Sequence, residues 1–108
     1  MSTFLGFQAE NKAQQYLIAQ GYEILERNFH SRFGEIDIVA KKEGIIHFLE
    51  VKYSKKEYPL ERITHVKMQK IIKTIEFYSM RKKLDCDYQI DALLVCDEEI
   101  ELIENISF

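Results

Sequence analysis

The sequence contains few cysteines, which argues against a fold held together by disulfides. Cys86 and Cys96 are the only two among 108 residues, and their spacing matches no metal-ligand motif. Reduced thiols in a cytosolic protein are the default for so few cysteines, while a disulfide between the two stays open. With 46% hydrophobic residues, a chain of this length can build a core without disulfides or structural metal. We therefore expect one domain over residues 1–108.

Long apolar runs are also missing. No segment reaches the roughly 20 apolar residues that span a bilayer. The segment Met1 to Phe4 has neither the basic start nor the apolar stretch of a secretory signal. The sequence therefore predicts a cytoplasmic protein with no membrane partner.

A positive net charge is the third absence. The chain has 15 basic and 18 acidic residues, a net charge of −3. Nucleic-acid-binding domains are usually basic, because neutralising phosphates supplies much of their affinity. Here the acidic residues concentrate in residues 97–104 and the basic ones between residues 41 and 83. Since the local field matters more than the sum, this distribution favours a weak or structure-selective nucleic-acid binder.

A β-hairpin is the clearest local structure that the sequence does contain. Two β-prone runs, residues 35–40 and 45–53, flank the short polar segment 41–44. This arrangement is typical of two antiparallel strands joined by a tight loop. The hairpin is unusual because it carries charged residues within its apolar runs.

The charged residues of the hairpin converge if the strands are regular. Alternate side chains of a strand share a face, so Glu35 and Asp37 lie together, as do Glu50 and Lys52. A four-residue loop places Asp37 opposite Phe48 and diagonal to Glu50 on one face. Asp37, Glu50 and Lys52 then meet.

Two neighbouring carboxylates need a compensating cation, because they repel each other. Mg²⁺ favours one or two carboxylates together with waters and substrate phosphate oxygens. A lysine beside the ion can stabilise the charge that develops on phosphorus or orient the attacking water. The pattern predicts a phosphodiester-cleaving site. The alternative from spacing alone is a set of solvent-facing charges on the open face of an antiparallel sheet.

Apolar periodicity predicts the remaining elements. They are helices over residues 4–20 and 64–83 and strands over residues 22–29, 88–96 and 100–103. Glu10 falls at the edge of the apolar stripe of the first helix, where its carboxylate either leans toward the site or lies in solvent. Alternation from residue 22 places Ile24 and Arg27 on opposite faces of the first strand. Asp91 borders an apolar run and so needs a partner, which a structural ion pair would supply.

Basic residues near the hairpin are candidates for phosphate contacts, because cationic side chains position a nucleic-acid backbone. Arg27 and Arg32 precede the hairpin, and Lys55 belongs to the loop that leaves the site after Lys52. Solvated surface charges are the alternative for each.

Asp37 followed by Glu50-Val51-Lys52 resembles the metal-binding motif of the PD-(D/E)xK nucleases. The segments 34–40 and 48–52 resemble the YraN family of predicted endonucleases, and the resemblance extends over most of the chain. Ile36 stands where the motif has proline, and His30 where the family pattern has arginine. The resemblance implies an α/β, restriction-endonuclease-like fold with an αβββαβ core, a mixed four- to five-stranded sheet flanked by helices.

The resemblance also implies roles for individual residues. Asp37 and Glu50 would bind Mg²⁺ or Mn²⁺, Lys52 would act on the water or the transition state, and Glu10 would complete the acidic cluster. The resemblance places Lys67, Gln69 and Lys70 near this site, and Glu35 is expected to support it because it shares a strand face with Asp37. Lys67 and Lys70 would contact phosphate, although a basic helix face is usually a solvated surface.

We therefore predict a metal-dependent endonuclease that hydrolyses DNA. The family is similar to archaeal Holliday-junction resolvases, which implies branched DNA as the partner and a homodimer as the working unit. The alternative is a catalytically inactive module with the same fold that binds nucleic acid or another protein.

Overall fold

The computed structural model describes residues 4–53, 64–97 and 99–106. Its elements in chain order are α1 (Phe4–Ala19), β1 (Glu23–His30), β2 (Glu35–Lys42), β3 (Ile45–Tyr53), α2 (His65–Lys82), β4 (Tyr88–Val95) and β5 (Ile100–Ile103). The predicted order is confirmed, and each boundary lies within two residues of its prediction. The loop that contains Lys55 lies outside the described residues.

The five strands form one mixed sheet in the order β1-β2-β3-β4-β5. β3 and β4 are parallel, and every other neighbouring pair is antiparallel. A parallel pair needs a long crossover connection, and α2 lies within it. Leu49 packs in a buried cluster with α1 residues, whereas the adjacent Phe48 packs in a cluster with α2 residues. The helices therefore cover opposite faces, which confirms the α/β, restriction-endonuclease-like core.

α2 begins and ends at defined caps. The Oγ1 atom of Thr64 accepts a hydrogen bond from the backbone N–H of Lys67 at 3.1 Å, and Lys83 ends the helix in the left-handed conformation with φ 54°. The buried stripe of α2, which includes Ile71 and Ile75, packs on the sheet. These contacts fix the first turn of α2, and with it Lys67, against the ends of β2 and β3. Within the described ranges, neither helix is long and apolar enough to cross a membrane.

The β2–β3 hairpin has a tighter turn than the predicted one. Lys42 pairs with Ile45, so only Glu43 and Gly44 form the loop. Both residues have positive φ, 52° and 79° respectively. Positive φ at both central residues is characteristic of a type I′ turn, whose twist matches that of the strands.

This turn corrects the predicted register of the hairpin. The four-residue loop is wrong, since Ala40 pairs with His47 and the pairing continues to Ile38 and Leu49. The pairing ends at Ile38 and Leu49, and Asp37 and Glu50 are the next residues beyond that pair on their strands.

β1 contains a β-bulge at Leu25, because Ile24 and Glu26 pair with adjacent residues of β2. The extra residue shifts the alternation by one position. The prediction that Ile24 and Arg27 lie on opposite faces is therefore wrong. Arg27 lies on the α1 face, where its Nη1 donates a hydrogen bond to Oδ1 of Asn11 at 2.7 Å.

Candidate metal and nucleic-acid site

Asp37 and Glu50 lie together where the pairing between β2 and β3 ends. Glu50 is on the same face of β3 as Phe48, the face that α2 covers. Oδ2 of Asp37 accepts a hydrogen bond of 2.8 Å from the backbone N–H of Val51. Asp37 is 9% exposed and Glu50 5% exposed. The alternative of solvent-facing charges is therefore excluded for these two acids.

Burial disfavours the anionic forms of both acids, and nearby carboxylates add to this effect. Burial and the charge of Glu50 raise the pKa of Asp37 to about 7, although the hydrogen bond from Val51 opposes this rise. Burial also raises the pKa of Glu50, against the opposing charges of Lys67 and Lys52. A bound cation reverses such a rise because it favours the carboxylates. The donor set, two carboxylates on adjacent strands, fits a hard divalent ion such as Mg²⁺ or Mn²⁺.

Two lysines share one oxygen of Glu50. Nζ of Lys67 lies 3.4 Å from Oε2 of Glu50, and Nζ of Lys52 lies 3.8 Å from the same atom. The Lys52 side chain is 16% exposed and that of Lys67 is 40% exposed. Burial and then the adjacent Lys67 lower the pKa of Lys52. Lys52 is therefore the lysine that gives up its proton more readily.

Lys67 remains the more firmly protonated of the two lysines. Burial alone would lower the pKa of Lys67, but the contact with Lys52 and the nearby carboxylates, Glu50 before Asp37, raise it overall. Lys67 was predicted near the site as a phosphate contact, and its pairing with Glu50 was not predicted. The cap at Thr64 predicts that Lys67 lies in the first turn of α2, but the contact with Glu50 depends on how that helix packs on the sheet.

Glu10 is buried on α1 at 4% exposure, which excludes the solvent-exposed alternative for its carboxylate. Its charge contributes to the raised pKa of Asp37, so it acts electrostatically on the acidic pair. Nη2 of Arg27 lies 3.5 Å from Oε1 of Glu10, and Nη1 of Arg27 also donates to Oε1 of Gln14 at 3.3 Å. The bulge in β1 thus turns Arg27 toward α1, where it holds Glu10 in place.

A cleft of about 380 Å³ connects Glu50 with the surface. Lys67 and Lys70 of α2 line one side, and Gly34 and Glu35 line the other. Oε2 of Glu35 lies 3.1 Å from Nδ1 of the exposed His30, and the charge of Glu35 helps to raise the pKa of both buried acids. The cleft therefore offers an anionic group a path to Glu50 that passes two cationic side chains.

Comparison with known proteins identifies the chain. The model of the Uncharacterised protein family UPF0102 matches residues 9–95, a range that contains Glu10, Asp37, Glu50, Lys52 and Lys67. The chain belongs to the UPF0102 family. The predicted resemblance to the YraN family is thereby confirmed.

Relatives in this UPF0102 family cover nearly the whole chain. A UPF0102 protein from Campylobacter hominis is 55% identical over 103 residues, covering 94% of this chain and 92% of the relative. One from Campylobacter fetus subsp. fetus is 51% identical over 104 residues, covering 95% and 93%. One from Nitratiruptor sp. is 50% identical over 106 residues, covering 98% and 95%.

Two further predicted residues of the UPF0102 protein, Gln69 and Arg32, do not line the cleft. Nε2 of Gln69 is 3.3 Å from Nε2 of His65 on the exposed side of α2. The guanidinium carbon of Arg32 lies 5.0 Å from the centre of the Phe33 ring, outside the cleft. Lys55 lies outside the described residues.

A second polar cluster in this UPF0102 protein was not predicted. His47, Asp91 and Glu104 place ligand atoms within 4.8 Å of one another. Nδ1 of His47 lies 2.7 Å from Oδ2 of Asp91, while Oδ1 of Asp91 accepts from Nε2 of Gln89 at 2.9 Å and the backbone N–H of Asn105 at 3.0 Å. These bonds supply the partner that a buried carboxylate requires. The cluster joins β3, β4 and the segment after β5.

Proposed function

We propose that this UPF0102 protein is a metal-dependent endonuclease that hydrolyses phosphodiester bonds in DNA. The observation that carries the proposal is the buried pair Asp37 and Glu50, whose pKa values are raised and whose shared edge is approached by Lys52 and Lys67. A structural acid pair gains nothing from mutual repulsion, whereas a pair that holds a cation requires closely spaced carboxylates. Raised pKa values in a cleft are typical of functional sites.

Asp37 and Glu50 would hold Mg²⁺ or Mn²⁺. When bound, the ion would polarise the phosphodiester and lower the pKa of a water. The hydrogen bond from Val51 keeps Oδ2 of Asp37 oriented along β3 and leaves the other carboxylate oxygen for a ligand. Glu10, held by Arg27, would add negative charge behind the pair and strengthen its affinity for the ion.

The two lysines would have different roles. Lys52 has the lowered pKa, so it would take a proton from the attacking water or return one to the leaving oxygen. Lys67 stays protonated and lies in the cleft, so it would neutralise the charge that develops on the phosphate. Lys70, one turn later in α2, would hold a neighbouring phosphate.

A module that binds without cleaving is the second candidate, and one observation favours it. Lys52 and Lys67 both contact Glu50, so the charge of that acid is compensated without a metal. In such a protein the cleft would bind phosphate through the lysines alone.

A cleavage assay on the full chain distinguishes the two candidates. Branched, single-stranded and duplex DNA would each be incubated with Mg²⁺ or Mn²⁺, and with EDTA, for the wild type, Asp37→Ala and Lys52→Ala. Glu101→Gln on β5 is the matched control, since Glu101 is exposed and does not line the cleft. We expect metal-dependent cleavage that each site variant reduces at least about 100-fold, a typical effect of removing one such group.

Two results would contradict the endonuclease. Equal cleavage by Asp37→Ala and the wild type would place the activity elsewhere. Binding by all variants with no cleavage of any substrate would favour the non-cleaving module. Preference for branched DNA, together with a dimer in solution, would extend the proposal to the resolvase-like role that the YraN resemblance implies.

A further inference from the structure

A second groove adjoins the cleft above Glu50. It encloses about 710 Å³ and is lined by Arg32, Phe33, Lys73, Glu76, Phe77 and Met80. Phe33 precedes Gly34, which lines the cleft, and Lys73 follows Lys70 by one turn of α2. Because residues three apart on a helix are neighbours, Lys70 and Lys73 place the two depressions next to each other along α2.

The groove combines aromatic rings with positive charge. Nζ of Lys73 lies 5.8 Å from the centre of the Phe33 ring, and Arg32 approaches the same ring at 5.0 Å. The guanidinium of Arg81 lies 5.9 Å from the centre of the Phe77 ring. Glu76 is the one acidic residue among the described residues that line the groove. The groove is therefore locally positive, although the whole chain has a net charge of −3.

This chemistry suits an unpaired nucleotide. A partly exposed aromatic ring offers a stacking surface for a base, and flanking cations attract the phosphates on either side of it. Cation–π contacts at exposed sites are weak, so Arg32 and Lys73 can leave the ring for a phosphate at little cost. In a duplex both faces of each base are already stacked, so the groove cannot use a paired base in this way.

We infer that the groove beside Phe33 binds an unpaired nucleotide of single-stranded DNA by stacking its base on the ring. The distance between this nucleotide and the cleaved bond rests on the proposed function. From Lys67 to Lys73 the helix rises about 9 Å, at about 1.5 Å per residue. Successive charges of one strand of duplex DNA are about 3.4 Å apart along the axis, and those of an unstacked strand lie further apart, so the groove would lie within about three nucleotides of the cleft. The preferred substrate class is therefore DNA with a single-stranded segment next to the cleaved phosphate.

The first test is a fluorescent probe at the stacking position. The chain has no tryptophan, so Phe33→Trp introduces a unique reporter whose emission is quenched when a base stacks on it. The titrants are an oligothymidylate, an abasic strand with the same number of phosphates, and a blunt duplex, all in EDTA so that no cleavage occurs. We expect strong quenching by the oligothymidylate and little by the other two. Equal quenching by the abasic strand, or none by any titrant, would overturn the inference.

The second test measures affinity by fluorescence anisotropy of labelled strands. Phe33→Ala should weaken oligothymidylate binding about tenfold and leave the abasic strand unaffected, because only stacking is lost. Lys73→Glu should weaken both strands more than Lys12→Glu, which makes the same charge change at an exposed position of α1. Unchanged oligothymidylate affinity in Phe33→Ala would overturn the inference and leave the groove to a different occupant, such as a peptide.

The outcome separates this inference from the proposed function. If no variant cleaves DNA but Phe33→Ala still weakens single-strand binding, the hydrolase proposal fails and the groove assignment stands. If the wild type cleaves DNA and neither Phe33 variant changes single-strand binding, the groove assignment fails alone.

Discussion

Replacing Asp37 with asparagine should stabilise the metal-free protein at pH 8. Asparagine keeps the oxygen that accepts the hydrogen bond from Val51 but cannot ionise. In the wild type, the pKa of Asp37 rises from its ordinary 3.8 to about 7 through burial and the charge of Glu50. Above pH 7 the fold therefore contains a buried carboxylate whose ionisation works against folding.

The pH dependence has a definite sign. Between pH 4 and pH 7 the folded state keeps the proton of Asp37 and the unfolded state releases it, so stability falls as the pH rises through this window. The rise from 3.8 to about 7 corresponds to a loss of about 4 kcal/mol at most, at about 1.36 kcal/mol per pH unit. Asp37→Asn removes this loss, so its advantage should be largest at pH 8 and vanish near pH 4.

Urea denaturation in EDTA at pH 4.5, 6 and 8, followed by circular dichroism, measures this difference. Glu101→Gln, which neutralises an exposed carboxylate on β5, should follow the wild type at every pH. Adding Mg²⁺ at pH 8 should stabilise the wild type, by about 2.7 kcal/mol at 100 times the dissociation constant, and Asp37→Asn much less. If Asp37→Asn has the wild-type circular dichroism spectrum but is no more stable than the wild type at pH 8, then ionisation of Asp37 does not destabilise the fold and the reasoning is refuted.

Three further predictions address the site and the hairpin. The affinity for Mn²⁺, measured by calorimetry, should weaken as the pH falls below about 7, because protonated Asp37 is a poor ligand for the ion. An affinity that does not change with pH would contradict this prediction. Lys67→Gln removes the ion pair with Glu50, so urea titrations at pH 8 should show a free energy of unfolding about 1 kcal/mol lower in EDTA and a smaller loss with Mg²⁺. Lys70→Gln on the same helix should leave the free energy of unfolding unchanged. Gly44 has φ 79°, so Gly44→Ala should lower the free energy of unfolding by about 1 to 2 kcal/mol. The melting temperature should fall by about 4–8 °C for each kcal/mol lost. Gly34→Ala, at a glycine without positive φ, should lower the free energy of unfolding less.

The convergence of the hairpin acids could be predicted even though the register was wrong. The four-residue loop and the observed two-residue turn differ by two positions in strand pairing. Because side chains alternate with a period of two, such a shift keeps Asp37 and Glu50 on a common face. The prediction therefore depended on parity, which the apolar pattern reveals, and not on the turn.

A shift of one position has the opposite effect, and the sequence did not reveal it. The bulge at Leu25 moves Arg27 onto the α1 face, where it contacts Glu10. A bulge inserts one residue without changing the composition of the strand, so no local pattern indicates it.

Contacts between distant elements were the other part that the sequence could not supply. The cap and the apolar stripe predict α2, but its docking beside Glu50 depends on how the helix packs across the sheet. The pairing of His47 with Asp91 likewise joins residues of two strands separated by that helix. Such partners follow from topology, which propensity and periodicity do not determine.

The crossover through α2 also has a consequence for the order of folding. The hairpin closes through a two-residue turn, a contact that forms within microseconds, whereas β3 meets β4 only after residues 46 and 88 come together. Contacts between residues so far apart in the chain form late, because closing the intervening loop is entropically unfavourable. Asp37 and Glu50 can therefore become neighbours in a nascent chain while both are still hydrated. When the later elements bury Asp37 and Glu50, the pKa values of both acids rise. The two carboxylates therefore acquire their raised proton affinity only at the last step of folding.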